Sequence, residues 1–177
     1  MSTPARAMRL RADRGMPEAV IRQATVDDAE SISVILREAF DRFKNDYTAD
    51  AFDIVRPAVP EIVRRFDEGP QWIAEIDGNP AGTVSVLPEP EWLYIRSMAV
   101  LPAAQGHGVG GHLLNAVEEY ATGEGFEKLF LYTTHFSQSA IRLYEKHGFY
   151  WVRDTPADEW FGTPGLAMEK KLPHVRD

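Results

Sequence analysis

A segment rich in glycine, residues 105–114, restricts the fold of this chain more than any other part of the sequence. It reads QGHGVGGHLL and lies between a predicted strand, which ends in MAVLP, and a pattern typical of a helix. No Asp, Glu, Lys or Arg occurs from Ser97 to Val117, although 26% of the chain is charged. Backbone N–H groups at the start of a helix can converge on a pyrophosphate where no side chains intervene. The segment therefore predicts a phosphate-binding turn that uses backbone dipoles rather than cationic side chains.

The same segment fits two common nucleotide-binding motifs only in part. Gly106, Gly108 and Gly111 have the spacing of the dinucleotide motif GxGxxG. That motif expects an acidic residue about 20 residues later, where this chain has two threonines. The Walker motif requires Lys after its last glycine, and this chain has His112. A glycine-rich turn that only lets helices pack closely is the alternative to a phosphate site.

Length and composition predict one folded domain. The 177 residues, 44% of them hydrophobic, suffice for a single sizeable core. Residues 1–17 contain several arginines and little apolar periodicity, so we expect a flexible N-terminal extension. A single domain is expected at 18–172 and a C-terminal tail at 173–177.

Charge and residue types exclude several classes of partner. A net charge of −8 without a stripe of Lys and Arg argues against binding to nucleic acid or to an anionic membrane. No apolar stretch reaches the roughly 20 residues of a membrane span. The chain has no cysteine, and no carboxylate near His107 and His112 completes a metal site. We expect a cytoplasmic protein that binds no metal, nucleic acid or membrane.

Hydrophobic periodicity predicts strands and helices in the order βααββ, then βαβα, then ββ. A strand at 18–24 precedes a helix whose apolar residues recur at spacings of three and four. A second helical pattern covers 49–66, and Pro57 and Pro60 are expected to interrupt or bend it. This order predicts a mixed sheet with helices on its faces, in the α/β (mixed α+β) class. The other predicted strands are 71–76, 81–87, 91–100, 128–134, 149–153 and 165–171, and the other helices are 109–123 and 137–147.

Two blocks of the sequence resemble the GNAT superfamily of acyl-CoA-dependent N-acetyltransferases. In the first, MAVLP at 98–102 and QGHGVG at 105–110 match the family's strand and Gln/Arg-x-x-Gly-x-Gly/Ala signature. The second, SQSAIRLYEKHGF at 137–149, matches its Asn-x-x-Ala-x-x-Leu-Tyr-Glu-Lys-x-Gly-Phe segment. The resemblance covers residues 18–172 and implies a GNAT fold. That fold has a central mixed, mostly antiparallel sheet of about seven strands with a splayed parallel pair, flanked by about four helices.

The resemblance also implies roles for residues that match the family's motifs. Backbone groups of Met98 and Val100, with Ala99 between them, are expected to pair with the pantetheine arm like an added strand. Ser137 stands where the family often has Asn and is expected to hydrogen-bond the cofactor. Tyr144 matches the tyrosine that in many members protonates the departing CoA thiolate, and a phenol with a pKa of about 10 is protonated at neutral pH. The residues expected to hold the pyrophosphate through their N–H groups are Gln105, Gly106, His107, Gly108, Val109, Gly110 and Gly111.

The implied activity is transfer of an acetyl group from acetyl-CoA to a primary amine of a small molecule or protein, by direct attack on the thioester. A backbone N–H at or near Met98 is expected to stabilise the oxyanion. The sequence assigns no general base: Glu91 and His135 are candidates, and both are more typical of solvent-facing residues. A non-catalytic acyl-CoA-binding sensor or interaction module of the same fold, in which Tyr144 only packs, is the alternative.

The identity of the acceptor is open at this level. In this fold the mouth of the site is built from a loop at 46–50 with Asp53 and a loop at 154–161, and both are acidic and aromatic. These loops suit a cationic amine through charge and cation–π contacts, although acidic loops are also common solvated surface. A homodimer is left open as well. The tryptophans expected in either the core or this cleft are Trp72, Trp92, Trp151 and Trp160.

Overall fold

The computed structural model describes residues 8–9 and 18–174. Its strands are β1 (Met8–Arg9), β2 (Ala19–Gln23), β3 (Gln71–Ile76), β4 (Asn79–Pro88), β5 (Leu93–Val100), β6 (Lys128–Thr133), β7 (Tyr150–Thr155) and β8 (Gly165–Lys171). Its α-helices are α1 (Ala29–Phe40), α2 (Ala49–Val55), α3 (Val59–Arg65), α4 (Val109–Gly123) and α5 (Gln138–Lys146). From β2 onward the elements follow the predicted order, except that the second helical segment forms two helices.

All of these strands belong to one sheet, in the order β1-β2-β3-β4-β5-β6-β8-β7. Neighbouring strands are antiparallel except β5 and β6, which are parallel and are connected through α4. The mixed, mostly antiparallel sheet with one parallel pair is the predicted architecture. The two-residue strand β1 adds an eighth strand to the seven that were expected.

The predicted helix at 49–66 is two helices in the structure. Pro57 restricts the residue before it, and Arg56 accordingly leaves the helical region, with φ −120° and ψ 58°, so that α2 ends. Pro60 lies in the first turn of α3, where its missing N–H has no helical partner to lose. Only Pro57 therefore breaks the helical pattern, which raises the helix count above the four expected.

The sheet separates two layers of buried apolar side chains, because alternate residues of a strand face opposite sides. Trp72 and Ala74 of β3 pack in one layer with Leu113 and Val117 of α4. Ile73, between them in the sequence, packs in the other layer with α1 and α3. The central strands are thus held between helices on both sides.

The predicted extension at 1–17 and tail at 173–177 lie mostly outside the described residues. Met8 and Arg9 of the extension pair with β2 through their backbone. None of the helices in the described ranges is long and apolar enough to cross a membrane.

Candidate active site

The parallel strands β5 and β6 separate part of the way along their length. Their pairing ends at Ile95 and Leu131. Beyond that point β5 continues along β4 as far as Val100, and β6 continues along β8 as far as Thr133. The gap between the diverging strands is where the candidate active site lies.

The backbone of the free part of β5 faces β4 and the gap alternately. Leu101 donates its N–H to the carbonyl of Ala81 at 2.8 Å, so its backbone faces β4. Because successive residues of a strand direct their backbone groups to opposite edges, Met98 and Val100 direct theirs into the gap. The backbone groups of Ala99 face β4 instead.

A β-bulge at Arg96 accompanies the separation of the strands. Ile95 is paired with Val86 and Ser97 with Ser85, so Arg96 is an extra residue without a partner in β4. A bulge bends its strand and increases the local twist. The bend at Arg96 therefore turns the end of β5 away from β6.

A cavity of about 510 Å³, the outer cavity, runs along the end of β5, the glycine-rich segment and α5. Its walls contain Met98, Ala99, Val100 and every residue of 105–111 except His107, which is exposed. The side-chain amide of Gln105 donates to the carbonyl of Val100 at 3.3 Å. With one exception, the structure thus brings the residues predicted to bind CoA to one surface.

Two different structural requirements explain why glycine occurs at positions of this surface. Gly106 and Gly108 have φ of 81° and 76°, a left-handed conformation that residues with a side chain rarely adopt. Gly108 is the N-cap of α4, so this conformation turns the chain directly into the helix. At Gly110 a Cβ atom would lie 2.7 Å from the side chain of Leu143 in α5. Close packing of helices therefore explains Gly110 but does not explain Gly106 or Gly108.

Two cationic side chains reach the outer cavity from other parts of the chain. Arg42, which follows α1, and Lys146, the last residue of α5, both line it. The sequence around the glycines contains no such charge. The fold therefore adds positive charge to a surface that is uncharged in its local sequence.

Ser137 is buried between the end of β6 and the start of α5. Its hydroxyl lies 2.7 Å from that of Thr134, and its N–H donates to the Thr134 carbonyl at 3.1 Å. Burial raises the pKa of Tyr47, and hydrogen bonds that its oxygen accepts from the hydroxyl groups of Thr134 and Ser137 offset only part of this increase. Ser137 thus belongs to a network of hydroxyl groups that joins the loop after α1 to α5.

Tyr144 is buried on the inner side of α5, and its ring centroid is 5.7 Å from that of Phe149. Burial raises the pKa of its phenol well above the usual value, and the nearby Tyr47 adds to this effect. The phenol is therefore protonated throughout the physiological pH range. Tyr144 lines the outer cavity and also a second cavity, which lies in the gap between the strands.

This second cavity, the inner cavity, has a volume of about 210 Å³ and lies between β5 and β6, with aromatic and hydroxyl side chains over most of its wall. Tyr47 and Trp160 contribute from the two loops that were expected at the mouth. These loops are tied together, since the hydroxyl of Thr48 donates to the carbonyl of Phe161 at 2.5 Å. The residues that line both cavities are Phe40, Met98, Ser137, Ala140 and Tyr144.

The charged residues in the wall of the inner cavity are Arg65 and Arg96. Arg65 is 6% exposed and donates from Nη1 to the hydroxyl of Ser97 at 3.0 Å. Burial, and then the charge of Arg96, lower the pKa of Arg65. Arg96 pairs through Nη1 with Glu68, while its Nε and Nη2 are buried without a hydrogen-bond partner in the described part of the chain. The wall is thus electropositive in a protein of net charge −8.

The acidic and imidazole groups considered from the sequence lie outside the inner cavity. Glu91 is exposed, and the side chain of His135 is 57% exposed and 3.6 Å from Asp154. Across residues 18–174, no Asp, Glu or His lines this cavity. The acidic residues of the loops at 46–50 and 154–161, which suggested a cationic acceptor, do not line this cavity. The described residues also contain no group of three or more His, Asp or Glu side chains that could hold a metal ion.

Arg65 and Thr134 of this site were missed in the sequence, whereas Tyr47 lies in the loop at 46–50 that was expected at the mouth. Arg65 and Tyr47 come from α3 and the loop after α1, which reach the cavity only through long-range contacts. Thr134 follows β6, where it was noted only as a residue that does not fit the dinucleotide motif. A signal was present at Arg96, since apolar residues alternate at Leu93 and Ile95 and the alternation then stops.

The four tryptophans lie in different environments. Trp72 is buried and packs on Tyr120, and Trp92 stacks on Phe130 with ring centroids 5.1 Å apart. Trp160 lines the inner cavity, and Trp151 is 57% exposed.

Comparison with known proteins identifies the family. The family model described as "Acetyltransferase (GNAT) family" matches residues 32–149. The uncharacterized N-acetyltransferase YjgM of Escherichia coli is 28% identical over 137 residues, which are 73% of this chain and 81% of YjgM. The uncharacterized N-acetyltransferase YhfO of Bacillus subtilis is 32% identical over 138 residues, which are 73% of this chain and 88% of YhfO.

A solved structure shows the same fold. The PaiA N-acetyltransferase of Thermoplasma acidophilum, in complex with coenzyme A, has a TM-score of 0.74 and 19% identity. The match covers 86% of this chain and 98% of that one. The chain therefore belongs to the acetyltransferase (GNAT) family, and the resemblance found in its sequence is confirmed.

Proposed function

We propose that the protein transfers the acetyl group of acetyl-CoA to a primary amine of a small molecule bound in the inner cavity. The class of reaction follows from the family, since its members are acyl-CoA-dependent N-acyltransferases. The observation that carries the proposal is that the outer and inner cavities meet at Met98, Ser137 and Tyr144. A thioester in the outer cavity and an amine in the inner cavity reach the same atoms at that shared wall.

The outer cavity suits a long, anionic donor. In the proposal, the backbone groups of Met98 and Val100 pair with the pantetheine arm as with an added strand. The N–H groups of 105–111 surround the start of α4, where the helix dipole favours phosphate. Arg42 and Lys146 add positive charge to the same cavity, and Ser137 adds a hydroxyl.

In the proposed reaction the amine nitrogen forms a bond to the thioester carbonyl carbon, and the carbon–sulfur bond breaks. Tyr144 gives its phenolic proton to the departing thiolate. As the amide forms, the attacking nitrogen loses a proton, and this proton returns to the Tyr144 oxygen through water, so that the phenol is restored. The support for this role is that the phenol lines both cavities and that its raised pKa keeps the proton on the oxygen. We assign stabilisation of the oxyanion to the N–H of Met98, which is directed into the gap.

The proton lost by the ammonium form of the acceptor passes to water in this proposal. None of the described Asp, Glu or His residues lines the inner cavity. The positive charges of Arg65 and Arg96 lower the pKa of an ammonium group bound beside them, because like charges disfavour each other. The site thus favours the neutral, nucleophilic amine through its electrostatic potential.

Release of free CoA thiol, measured with acetyl-CoA and a panel of primary amines, tests this function. We expect turnover of at least one small amine and binding of acetyl-CoA that is measurable by calorimetry without an amine. Tight binding of acetyl-CoA without turnover of any amine, and with no change in Tyr144→Phe, would favour the non-catalytic acyl-CoA-binding module instead. A cytoplasmic location and a homodimer stay predictions, for which cell fractionation and light scattering are the measurements.

A further inference from the structure

The wall of the inner cavity carries positive charge that no lining carboxylate balances. Arg65 and Arg96 line it, while all Asp and Glu residues of the described chain lie elsewhere. This is unexpected for a chain with 27 acidic and 19 basic residues. Such a wall attracts an anion and repels a cation.

The carboxylates paired with these arginines do not neutralise them fully. Glu61 bonds to Arg64 and Arg65, and Glu68 bonds to Arg64 and Arg96. The cluster therefore has three guanidinium groups and two carboxylates. The side chain of Arg64 is 57% exposed, against 8% for Arg65 and 15% for Arg96. The surplus charge is thus concentrated on the two arginines of the cavity wall.

Arg96 has one edge of its guanidinium group without a partner. Its Nη1 is bonded to Glu68, but Nε and Nη2 find no acceptor among residues 18–174 and are buried. The N–H groups of Nε and Nη2 are parallel, and this edge matches the two oxygens of a carboxylate. Both atoms are buried, so the Arg96 side chain must turn toward the cavity that it lines before an anion can bond to this edge. A buried donor without an acceptor is unfavourable, so the bond to an anion then contributes binding energy.

The position of Arg96 suits a ligand that also reaches the reacting atoms. Met98, which lines both cavities, is two residues further along β5, a separation of roughly 7 Å along the strand. A short amino acid can direct its amine toward Met98 and its carboxylate toward Arg96. The inner cavity of about 210 Å³ has room for a small ligand of this kind.

We propose that the acceptor is a small amino acid whose carboxylate binds the free edge of Arg96, with Arg65 beside it. This inference rests on the proposed function, because it takes the inner cavity as the acceptor site. The single surplus positive charge matches one carboxylate better than a phosphate dianion. The carboxylate then fixes the orientation in which the amine faces the shared wall.

Paired acceptors test the proposal. Alanine, phenylalanine and glutamate are each compared with their α-carboxamides in the thiol-release assay. The amine of a carboxamide is less basic than that of the amino acid, so the carboxamide reacts faster if the carboxylate contributes nothing. We expect kcat/KM to be at least roughly 10-fold higher for the amino acid in one or more pairs. Higher values for the carboxamide in every active pair would overturn the proposal.

Substitutions at Arg96 test whether this residue causes the preference for an acceptor with a free carboxylate. Arg96→Met removes the charge and the donor edge, whereas Arg96→Lys keeps the charge and loses the parallel donors. We expect each to lower kcat/KM for the amino acid roughly 10-fold or more and to change that for the carboxamide less than about threefold. Arg64→Met removes a charge that is 57% exposed and screened by solvent, and it is the matched control, for which we expect either value to change less than about twofold. Equal effects of Arg96→Met and Arg64→Met would count against the assignment.

Equilibrium binding distinguishes failure of this inference from failure of the proposed function. Saturation-transfer NMR on protein saturated with CoA reports binding of alanine, phenylalanine and glutamate whether or not they react. If no amine is turned over but amino-acid binding is lost in Arg96→Lys, the carboxylate site stands and the proposed function fails. If only amines without a carboxylate are turned over and no amino acid binds, the carboxylate site is refuted and the proposed function stands. Thermal melting of each variant verifies that it is folded.

Discussion

Tyr144 is the residue on which the proposed chemistry depends most. Its hydroxyl group can be removed without loss of the ring. Phe at this position keeps the ring that packs on Phe149 and removes only the hydroxyl group. We expect kcat to fall about 10²- to 10⁴-fold, as for loss of a general acid. Calorimetry should show an unchanged Kd for acetyl-CoA, because the hydroxyl acts on the leaving group. A fall in kcat below threefold would refute the acid role.

The pH dependence of kcat follows from the same residue. An acid catalyst is active while protonated, and burial raises the pKa of Tyr144 above its usual value, so the active form persists through pH 10. We therefore expect no decline of kcat between pH 7 and about pH 9.5. A declining limb centred near pH 8, measured with saturating substrates, would be incompatible with this assignment.

Gly106 offers a test of the donor site with a matched control elsewhere in the chain. Gly106 and Gly78 both have left-handed φ, of 81° and 78°, and a Cβ atom at either would have nothing within 4 Å. Ala at either position should therefore destabilise the fold by a similar amount, about 1–2 kcal/mol. Only Gly106→Ala should also weaken acetyl-CoA binding in calorimetry, since Gly78 lies in the turn between β3 and β4. Equal Kd values for the two variants would argue against a donor site at the glycine-rich segment.

At the scale of elements, the end of β6 and the start of β8 fix the far wall of the inner cavity. A Cβ atom at Gly165 would lie 2.2 Å from the carbonyl oxygen of Thr133, and both residues line the cavity. Gly165→Ala must displace backbone, so we expect a loss of about 1–3 kcal/mol in urea unfolding and a higher KM for the amine. Gly123→Ala, at the end of α4, meets nothing within 4 Å and should stabilise by about 0.4–1 kcal/mol. A stable Gly165→Ala variant with unchanged KM would show that this wall tolerates movement.

The elements differ in how far their sequence predicts them. The pattern from β5 to α5 was predictable because turn, helix start and helix face are encoded by adjacent residues such as Gly108. The break of the second helix was visible in two prolines, but only Pro57 acts, because Pro60 falls in a first turn. Arg65 was not predictable as a cavity residue, since its place depends on how α3 packs beside β5. The residues for the donor thus follow from local sequence, while those for the acceptor follow from the tertiary fold.

At the scale of the whole molecule, the charge that lines the cavities is opposite in sign to the net charge of the chain. The chain has a net charge of −8, yet both cavities are lined by cations, Arg42 and Lys146 in one and Arg65 and Arg96 in the other. The negative remainder lies on other surfaces and contributes self-repulsion that added salt screens. The net charge calculated from the composition therefore reflects the other surfaces of this protein. The charge in its two cavities has the opposite sign.

Acid should weaken the fold through the carboxylates that pair with arginine. Hydrogen bonds from Arg64, then from Arg65, lower the pKa of Glu61 from 4.5 to about 2, and pairing with arginine lowers the pKa of Asp28 and Glu68 in the same direction. A carboxylate with a lower pKa in the folded state stabilises that state above its unfolded pKa. That contribution is lost as the pH falls from 4.5 toward about 2, when the folded form is protonated too.

Glu61→Gln separates this effect from relief of the overall negative charge, which acid also brings about and which acts in the opposite direction. The side chain of Glu61 is 39% exposed and that of Arg64 is 57% exposed, so solvent screens this pair, whereas Arg65 is buried. We therefore expect wild type to be more stable than Glu61→Gln by about 1 kcal/mol at pH 6. The difference in unfolding free energy, measured by urea titration, should shrink below pH 4.5 and be small by pH 2, where half of the folded molecules have a protonated Glu61. A difference that stays constant across this range would mean that packing of the side chain, rather than its charge, accounts for its contribution.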